Sequence, residues 1–381
     1  MKRILIFSTA YFPFVGGAEI AVKEITDRLL DFEFDMITAK MDRNLKNFEH
    51  IGNVNVYRIG FGTFFDKYLL PILGYVKAVN LNKQRNYLNI WSIMASFGGF
   101  AALFFKKKNR KIPFLLTLQE GDSPEYIKKR VGIFYPLFKK IFTNADHIQG
   151  ISNFLKNWAI QIGATCPIDV VPNGVDIDKF KVQISKLKAD ELKDKLGIKE
   201  NEMLVVTTSR LVKKNGVEDL ITAMNYLPKN FKLLIIGGGE LESNFKFQIS
   251  NFKLQDRVIM LGAIKPEEIP PYLSVSDVFC RPSLSEGLGN SFLEAMAAGL
   301  PVIGTPVGGI PDFLKDGFNG YFVRINDPAD IAEKIYFILD QKNKEIINTL
   351  ISNAKKTITD KYEWKIISAK MEKIFNYAKI T

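Results

Sequence analysis

The sequence predicts an α/β protein of two doubly wound parallel-sheet domains, and three observations carry that expectation. The chain has 381 residues, beyond the size at which a single hydrophobic core usually stops growing. Short apolar runs alternate with helix-period segments, and the order strand, helix, strand selects parallel pairing. Several runs end in polar, glycine-bearing turns just ahead of a helix, where exposed amides favour an anionic ligand.

Composition narrows the class. An apolar fraction of 47% with 24% charged residues is ordinary for a globular protein. Cys166 and Cys280 stand alone without CxxC spacing, and no secretory leader precedes the first strand, so a reducing cytoplasm and no disulfide are expected. The net charge of +11 is uneven: residues 1–172 hold 23 Lys+Arg against 14 Asp+Glu, the rest 29 against 27. No zinc knuckle, helix-turn-helix or aromatic ribonucleoprotein motif accompanies that excess, which excludes nucleic acid as the expected partner. An anionic lipid surface or acidic glycolipid fits it better.

In chain order, residues 3–7 form the first strand and residues 18–30 a helix with Ile20, Val22, Ile25, Leu29 and Leu30 on its apolar face. Between them, Gly16 and Gly17 either close a tight turn or let amides approach a bulky anion. Strands follow at 34–39 and 54–59. Residues 60–79, aromatic and apolar without a clean period, read as a loop plus helix near an acceptor or as ordinary core. The apolar stretch 87–105 is interrupted by Asn89, Ser92, Ser96 and Gly98-Gly99, so a strand at 89–94 and a helix at 99–107 explain it better than a membrane span. A buried strand at 113–117 runs into Gln119, Glu120 and Asp122. In 124–140, the basic Lys128, Lys129, Arg130, Lys139 and Lys140 bracket apolar residues 133–138. That pattern suits an anionic bilayer surface, or a solvated basic face over a buried aromatic seam. His147 reads as structural. Residues 146–158 and 168–176 close a first domain, 1–172, and the turn composition of 172–176 marks the crossing. The charged stretch 179–202 holds one short helix near 187–196.

The second domain, 173–363, has expected strands at 203–208, 231–236, 258–261, 277–281, 301–305 and 320–323. Its helices are expected at 217–226, 241–252, 266–275, 290–298 and 327–341. Arg210, Lys213 and Lys214 follow its first strand, where cations can stabilise negative charge on a departing phosphate. Gly237-Gly238-Gly239 looks like a dinucleotide loop, but Glu242 stands where the third glycine is required, so a nicotinamide site is rejected.

The densest signal lies in 280–309. A strand ends in the turn Gly287-Leu288-Gly289-Asn290-Ser291, whose amides are placed for a phosphate. Glu286 sits at the mouth of that turn and Glu294 one helical turn in. Carboxylates accept from hydroxyls, as on a sugar and a ribose. Phosphate-binding amides between two such acceptors fit a nucleotide sugar.

The pattern Pro-Ser-x-x-Glu286-Gly-x-Gly, then Glu294-Ala-Met-Ala-x-Gly-x-Pro-Val and Gly308-Gly-Ile-Pro-Asp312, resembles the signature of retaining glycosyltransferases of family 4. The resemblance implies the GT-B fold, two Rossmann-like domains facing across a cleft, with the final helix from residue 364 packing back on the first domain. It places Ala263 and Ile264 along the nucleotide base, and Gly16 and Gly17 on the donor. Arg210 matches the family's arginine, whereas Asn215 occupies the place of its lysine and Lys214 stands one residue before. Where the family carries a histidine this chain has Gln119, which leaves Gln119 or Glu120 for the sugar contact.

The expected activity is retaining transfer of a sugar from a nucleotide-diphosphate sugar to a saccharide acceptor, lipid-linked or destined for surface polysaccharide or glycolipid. Arg210 and Lys214 neutralise the diphosphate, Glu294 holds the ribose and Glu286 the sugar. No carboxylate cluster of metal-binding type stands nearby, so no metal and no cofactor are expected. A sugar-nucleotide epimerase, a phosphorylase and a catalytically silent nucleotide-sugar or membrane-binding module are the competing readings.

Overall fold

A computed structural model describes residues 1–181 and 185–377. Residues 378–381, the tail of the expected final helix, lie outside the described residues. The chain divides into two units, Met1–Asn173 with the segment from Trp364, and Gly174–Glu363.

Unit 1 runs β1 (Lys2–Phe7), α1 (Gly17–Arg28), β2 (Phe32–Ala39), β3 (Phe48–Ile51), β4 (Val54–Ile59), α2 (Asp66–Asn82), β5 (Asn89–Ile93), α3 (Phe97–Lys108), β6 (Phe114–Leu118), α4 (Pro124–Val131), α5 (Tyr135–Thr143), β7 (His147–Gly150), α6 (Asn153–Ile162) and β8 (Ile168–Val170). The strands lie in the order β3-β4-β2-β1-β5-β6-β7-β8, parallel except for β3 against β4. Ile4, Leu5, Ile6 and Phe7 are fully buried, as a central parallel strand covered on both faces requires. The edge strand β3 was not expected. It alternates exposed and half-buried residues and carries Glu49 and His50, a charged edge that discourages further pairing.

The apolar run of 87–105 resolves into β5 and α3. Gly98, Gly99, Ala101, Ala102, Leu103 and Phe105 of α3 are buried, and among the described residues no helix is long and apolar enough to cross a membrane. Segment 60–79 is a loop plus helix, and part of it is core. Leu70, Gly74, Ala78 and Leu81 of α2 are buried, while Phe61, Phe64, Phe65, Ile72 and Val76 are exposed. The segment 124–140 divides in the same way, with Phe138 buried and Ile133 and Phe134 exposed. The C-terminal helix Trp364–Tyr377 belongs to this unit. Its Phe375 ring meets Trp91 at 4.9 Å between centroids, and Asn89 Nδ2 donates to the Phe375 carbonyl at 2.7 Å.

Unit 2 runs α7 (Ile177–Phe180), α8 (Lys186–Lys195), β9 (Met203–Thr208), α9 (Val217–Ala223), β10 (Phe231–Ile236), α10 (Glu242–Asn251), β11 (Val258–Gly262), α11 (Ile269–Ser274), β12 (Val278–Arg281), α12 (Asn290–Ala298), β13 (Val302–Gly304), α13 (Ile310–Phe313), β14 (Tyr321–Phe322), α14 (Pro328–Leu339) and α15 (Lys344–Lys361). Its strands are parallel in the order β11-β10-β9-β12-β13-β14. Helix α15 went unforeseen because its core stripe is thin. Only Ile347, Leu350, Ala354 and Ile358 are buried, spaced at three, four and four residues among polar side chains.

Candidate functional site

The strand order of unit 2 fixes where a ligand can sit. From β9 the chain winds outward to β10 and β11, then returns beside β9 as β12 and winds the other way. At such a reversal the loops leaving two neighbouring strands diverge and open a crevice at their carboxyl ends. The loop after β9 carries Arg210 and Lys214; the loop after β12 carries Glu286. The two loops are joined by backbone: the Lys214 carbonyl accepts from Leu284 at 2.6 Å and from Ser285 at 3.3 Å. The loop after β13 closes the third side, with the Gly309 amide donating to the Glu286 carbonyl at 3.1 Å. Gly308 makes that approach possible. Its φ is +55°, and a Cβ there would stand 1.8 Å from the Glu286 carbonyl oxygen.

Arg281, the last residue of β12, is the functional-site residue that sequence reasoning missed. Its buried guanidinium donates from Nε to Ser283 Oγ at 3.1 Å, from Nη1 to Ser291 Oγ at 2.8 Å and from Nη2 to Glu286 Oε2. The Gly287 amide donates to Glu286 Oε1 at 3.1 Å. A lone charge closing the otherwise apolar Val278-Phe279-Cys280 run was the available signal, since a buried arginine requires a partner.

Glu294 is half-buried on α12 and has no hydrogen-bond or ion-pair partner among the described residues. Burial pushes its carboxyl up to about 7, against the opposing pull of Lys179 and then Arg281. An acceptor without a donor, in a part-desolvated position, is what a ligand hydroxyl would complete. Helix α12 starts after Gly289 with no side-chain cap on its first amides. Within that turn Leu288 is buried, and Ser291 Oγ is engaged by Arg281.

Arg210 is exposed and has no side-chain partner among the described residues. Asn215 explains the shifted lysine. It is buried, and its Nδ2 donates to the Arg210 carbonyl at 2.7 Å, so position 215 fixes the loop that presents Arg210. Lys214 is half-exposed on the turn beside it. Ala263 and Ile264 follow β11, and Ala263 Cβ lies 3.4 Å from where a Gly238 Cβ would stand. The glycines of 237–239 serve packing: a Cβ at Gly237 would meet the Ser209 carbonyl oxygen at 1.8 Å.

In unit 1 the reversal falls between β1 and β5, and the loops there interlock. Thr9 Oγ1 and Ser96 Oγ are 2.9 Å apart, and the Ala95 amide donates to Glu120 Oε1 at 2.7 Å. Glu120 is 5% exposed, its Oε2 has no partner, and burial pushes it up to about 7. Gln119 is tethered instead, accepting from Asn173 Nδ2 at 3.0 Å. The Gly16 amide donates to Glu19 of its own helix at 2.8 Å, while Gly17 opens α1. His147 is buried beside Asp169 with its Nε2 2.9 Å from Oδ2, a structural pair at the amino end of β7.

Two family models account for most of the chain: glycosyltransferase family 4 over residues 15–179 and glycosyl transferases group 1 over 188–357. An uncharacterised glycosyltransferase of Methanocaldococcus jannaschii is 28% identical, aligned over 98% of each chain. The alpha-monoglucosyldiacylglycerol synthase of Acholeplasma laidlawii is 28% identical over 93% of this chain and 92% of its own. Among solved structures, Anabaena HepE in complex with UDP and glucose superposes with a TM-score of 0.82 at 21% identity, covering 99% of this chain and all of its own. Parallel sheets with these strand orders, matched over residues 15–179 and 188–357 by the two models, make this chain a GT-B glycosyltransferase of group 1 and family 4.

Proposed function

We propose that the chain transfers a hexosyl group, with retention of anomeric configuration, from a uridine diphosphate sugar to an amphiphilic saccharide acceptor. The observation that carries this reading is the arrangement at the β9/β12 reversal: an exposed Arg210, a clamped Glu286 and an unpartnered Glu294 around one crevice. Glu294 accepts from the ribose hydroxyls and Glu286 from those of the sugar. Arg210 and Lys214, with the amides of Leu288, Gly289, Asn290 and Ser291, take up charge on the diphosphate, the Gly287 amide being engaged by Glu286. Ala263 and Ile264 line the base. The family resemblance assigns Gly16 and Gly17 to the donor, although the Gly16 amide is engaged by Glu19, and Glu120 or Gln119 to the sugar. Of the latter pair Glu120 is favoured, because its Oε2 is unpartnered while Gln119 is already engaged.

In this mechanism the bond from the anomeric carbon to the phosphate oxygen breaks and a bond from that carbon to the acceptor oxygen forms on the same face. The acceptor's proton passes to the departing phosphate. The guanidinium and ammonium groups supply the charge that a divalent ion would otherwise bring. Among the described residues no group of His, Cys, Asp and Glu is arranged to hold one. The uridine preference draws on the UDP bound by HepE, and the amphiphilic acceptor on the glycolipid product named for the Acholeplasma relative. The exposed apolar face of α2 and the basic stretch Lys128 to Lys140 are the parts of unit 1 suited to an anionic membrane surface.

The test is a panel of uridine and guanosine diphosphate sugars, read first by donor-dependent thermal shift and then by transfer to glycolipid in vesicles. Nuclear magnetic resonance gives the anomer of the product. A shift with one uridine diphosphate sugar, followed by transfer with retention in excess chelator, is expected. Binding without turnover on any acceptor would favour a silent module, and activity restored only by a divalent ion would remove the cationic mechanism.

A further inference from the structure

The Arg281 guanidinium is wedged between a strand end, a loop and a helix start. Its three nitrogens reach Ser283, Ser291 and Glu286, and its Cζ stands 5.0 Å from the centroid of the Phe292 ring. Arginine suits such a place because its donors form a rigid planar fork that also stacks on an aromatic face. Behind it, Thr305 Oγ1 donates to the Ser283 carbonyl, so the fork is anchored to the next strand as well.

We propose that Arg281 is a positioning residue for donor binding, which orients the Glu286 carboxylate toward the sugar. The proposal rests on the reading that Glu286 holds the donor sugar. Arg281 and the Gly287 amide occupy one acceptor direction on each Glu286 oxygen, and a carboxylate offers about four. Two directions stay open to sugar hydroxyls, aimed by a group that cannot rotate away.

The experiment uses the full chain as wild type, Arg281→Gln and Arg281→Lys, with kcat/KM for the uridine diphosphate sugar and affinities for the whole donor and for uridine diphosphate alone. Arg281→Gln is expected to lower kcat/KM by about a hundredfold, and Arg281→Lys, which keeps the charge but not the fork, by about tenfold. Binding of uridine diphosphate without sugar is expected to change by less than about threefold in both variants. A loss of affinity for uridine diphosphate as large as that for the whole donor in both variants would overturn the proposal, since a merely structural arginine predicts that result. If Arg281→Gln fails to fold, the lysine variant decides: an equal loss of affinity for uridine diphosphate and for the whole donor overturns it. A wild-type chain that neither binds nor turns over any donor would instead remove the functional reading on which the proposal stands.

Discussion

Replacing Glu294 by glutamine should make the protein more stable and worse at binding its donor. The carboxyl's ordinary value is 4.5 and burial lifts it to about 7. Each unit of displacement is worth about 1.4 kcal/mol, so ionising Glu294 in the folded chain costs about 3 kcal/mol before screening. The side chain keeps part of its surface in solvent, which trims the cost to about 2 kcal/mol. The sign follows from linkage. A folded-state value above the unfolded one means that the folded chain binds the extra proton between about 4.5 and 7. Its stability therefore falls as pH rises through that window, and the full penalty is present above it.

Glutamine removes the ionisation and with it the penalty. At pH 8 the variant should melt higher than wild type by about 4–8 °C, at the roughly 2–4 °C per kcal/mol expected for a domain of this size. At pH 4.5 the two should coincide. The functional cost runs the other way. A charged acceptor is worth about 1.5–3 kcal/mol to a hydroxyl donor, so donor affinity should fall by about ten- to a hundredfold. Melting curves from pH 4.5 to 8, together with calorimetric titration of the donor, measure both halves. Equal melting temperatures at pH 8, or unchanged donor affinity, would show that Glu294 is neither an unpartnered buried acid nor a ligand acceptor.

Four further variants have expected outcomes. Arg210→Ala removes an exposed side chain with no partner among the described residues, so stability should move by less than about 0.5 kcal/mol while kcat/KM falls by about a hundredfold or more. Steady-state kinetics beside a melting curve separate the two effects. Gly308→Ala sets a Cβ against the Glu286 carbonyl and should cost well over 1 kcal/mol and most of the activity. Gly317→Ala, at φ +69° with nothing within 4 Å, should show the backbone strain alone and leave kcat/KM unchanged. Finally, Ile72→Asp, on the exposed face of α2 where Ile72 is 64% exposed, should weaken co-sedimentation with phosphatidylglycerol vesicles by severalfold without altering melting. Equal sedimentation of wild type and variant would remove α2 from the membrane reading.

What the sequence disclosed and what it hid divide along a physical line. Elements buried on both faces leave short apolar runs, as at 4–7, 203–206 and 233–236, and α12 shows an apolar helical period, so β1, β9, β10 and α12 are legible from residues alone. Glu286 and Glu294 stand out in the sequence because a fixed spacing runs from the turn after β12 into α12. Elements that bury little leave little trace. Strand β3 is a four-residue polar edge, and α15 hides a four-residue stripe in a helix of 18. Arg281 was missed for a different reason. Its partners, Ser283, Glu286, Ser291 and Phe292, lie within eleven residues of it, so the clamp is local in sequence. Yet hydropathy records only one charge after three apolar residues, and nothing in periodicity tells a solvated arginine from a buried one. Asn215 shows the converse. As a sequence position it looks like a lost lysine, whereas its bond to the Arg210 carbonyl makes it the post on which the neighbouring cation is carried. The displaced lysine thus stands on a loop braced from within. That brace is side-chain chemistry, visible once the fold has brought residues 210 and 215 into contact.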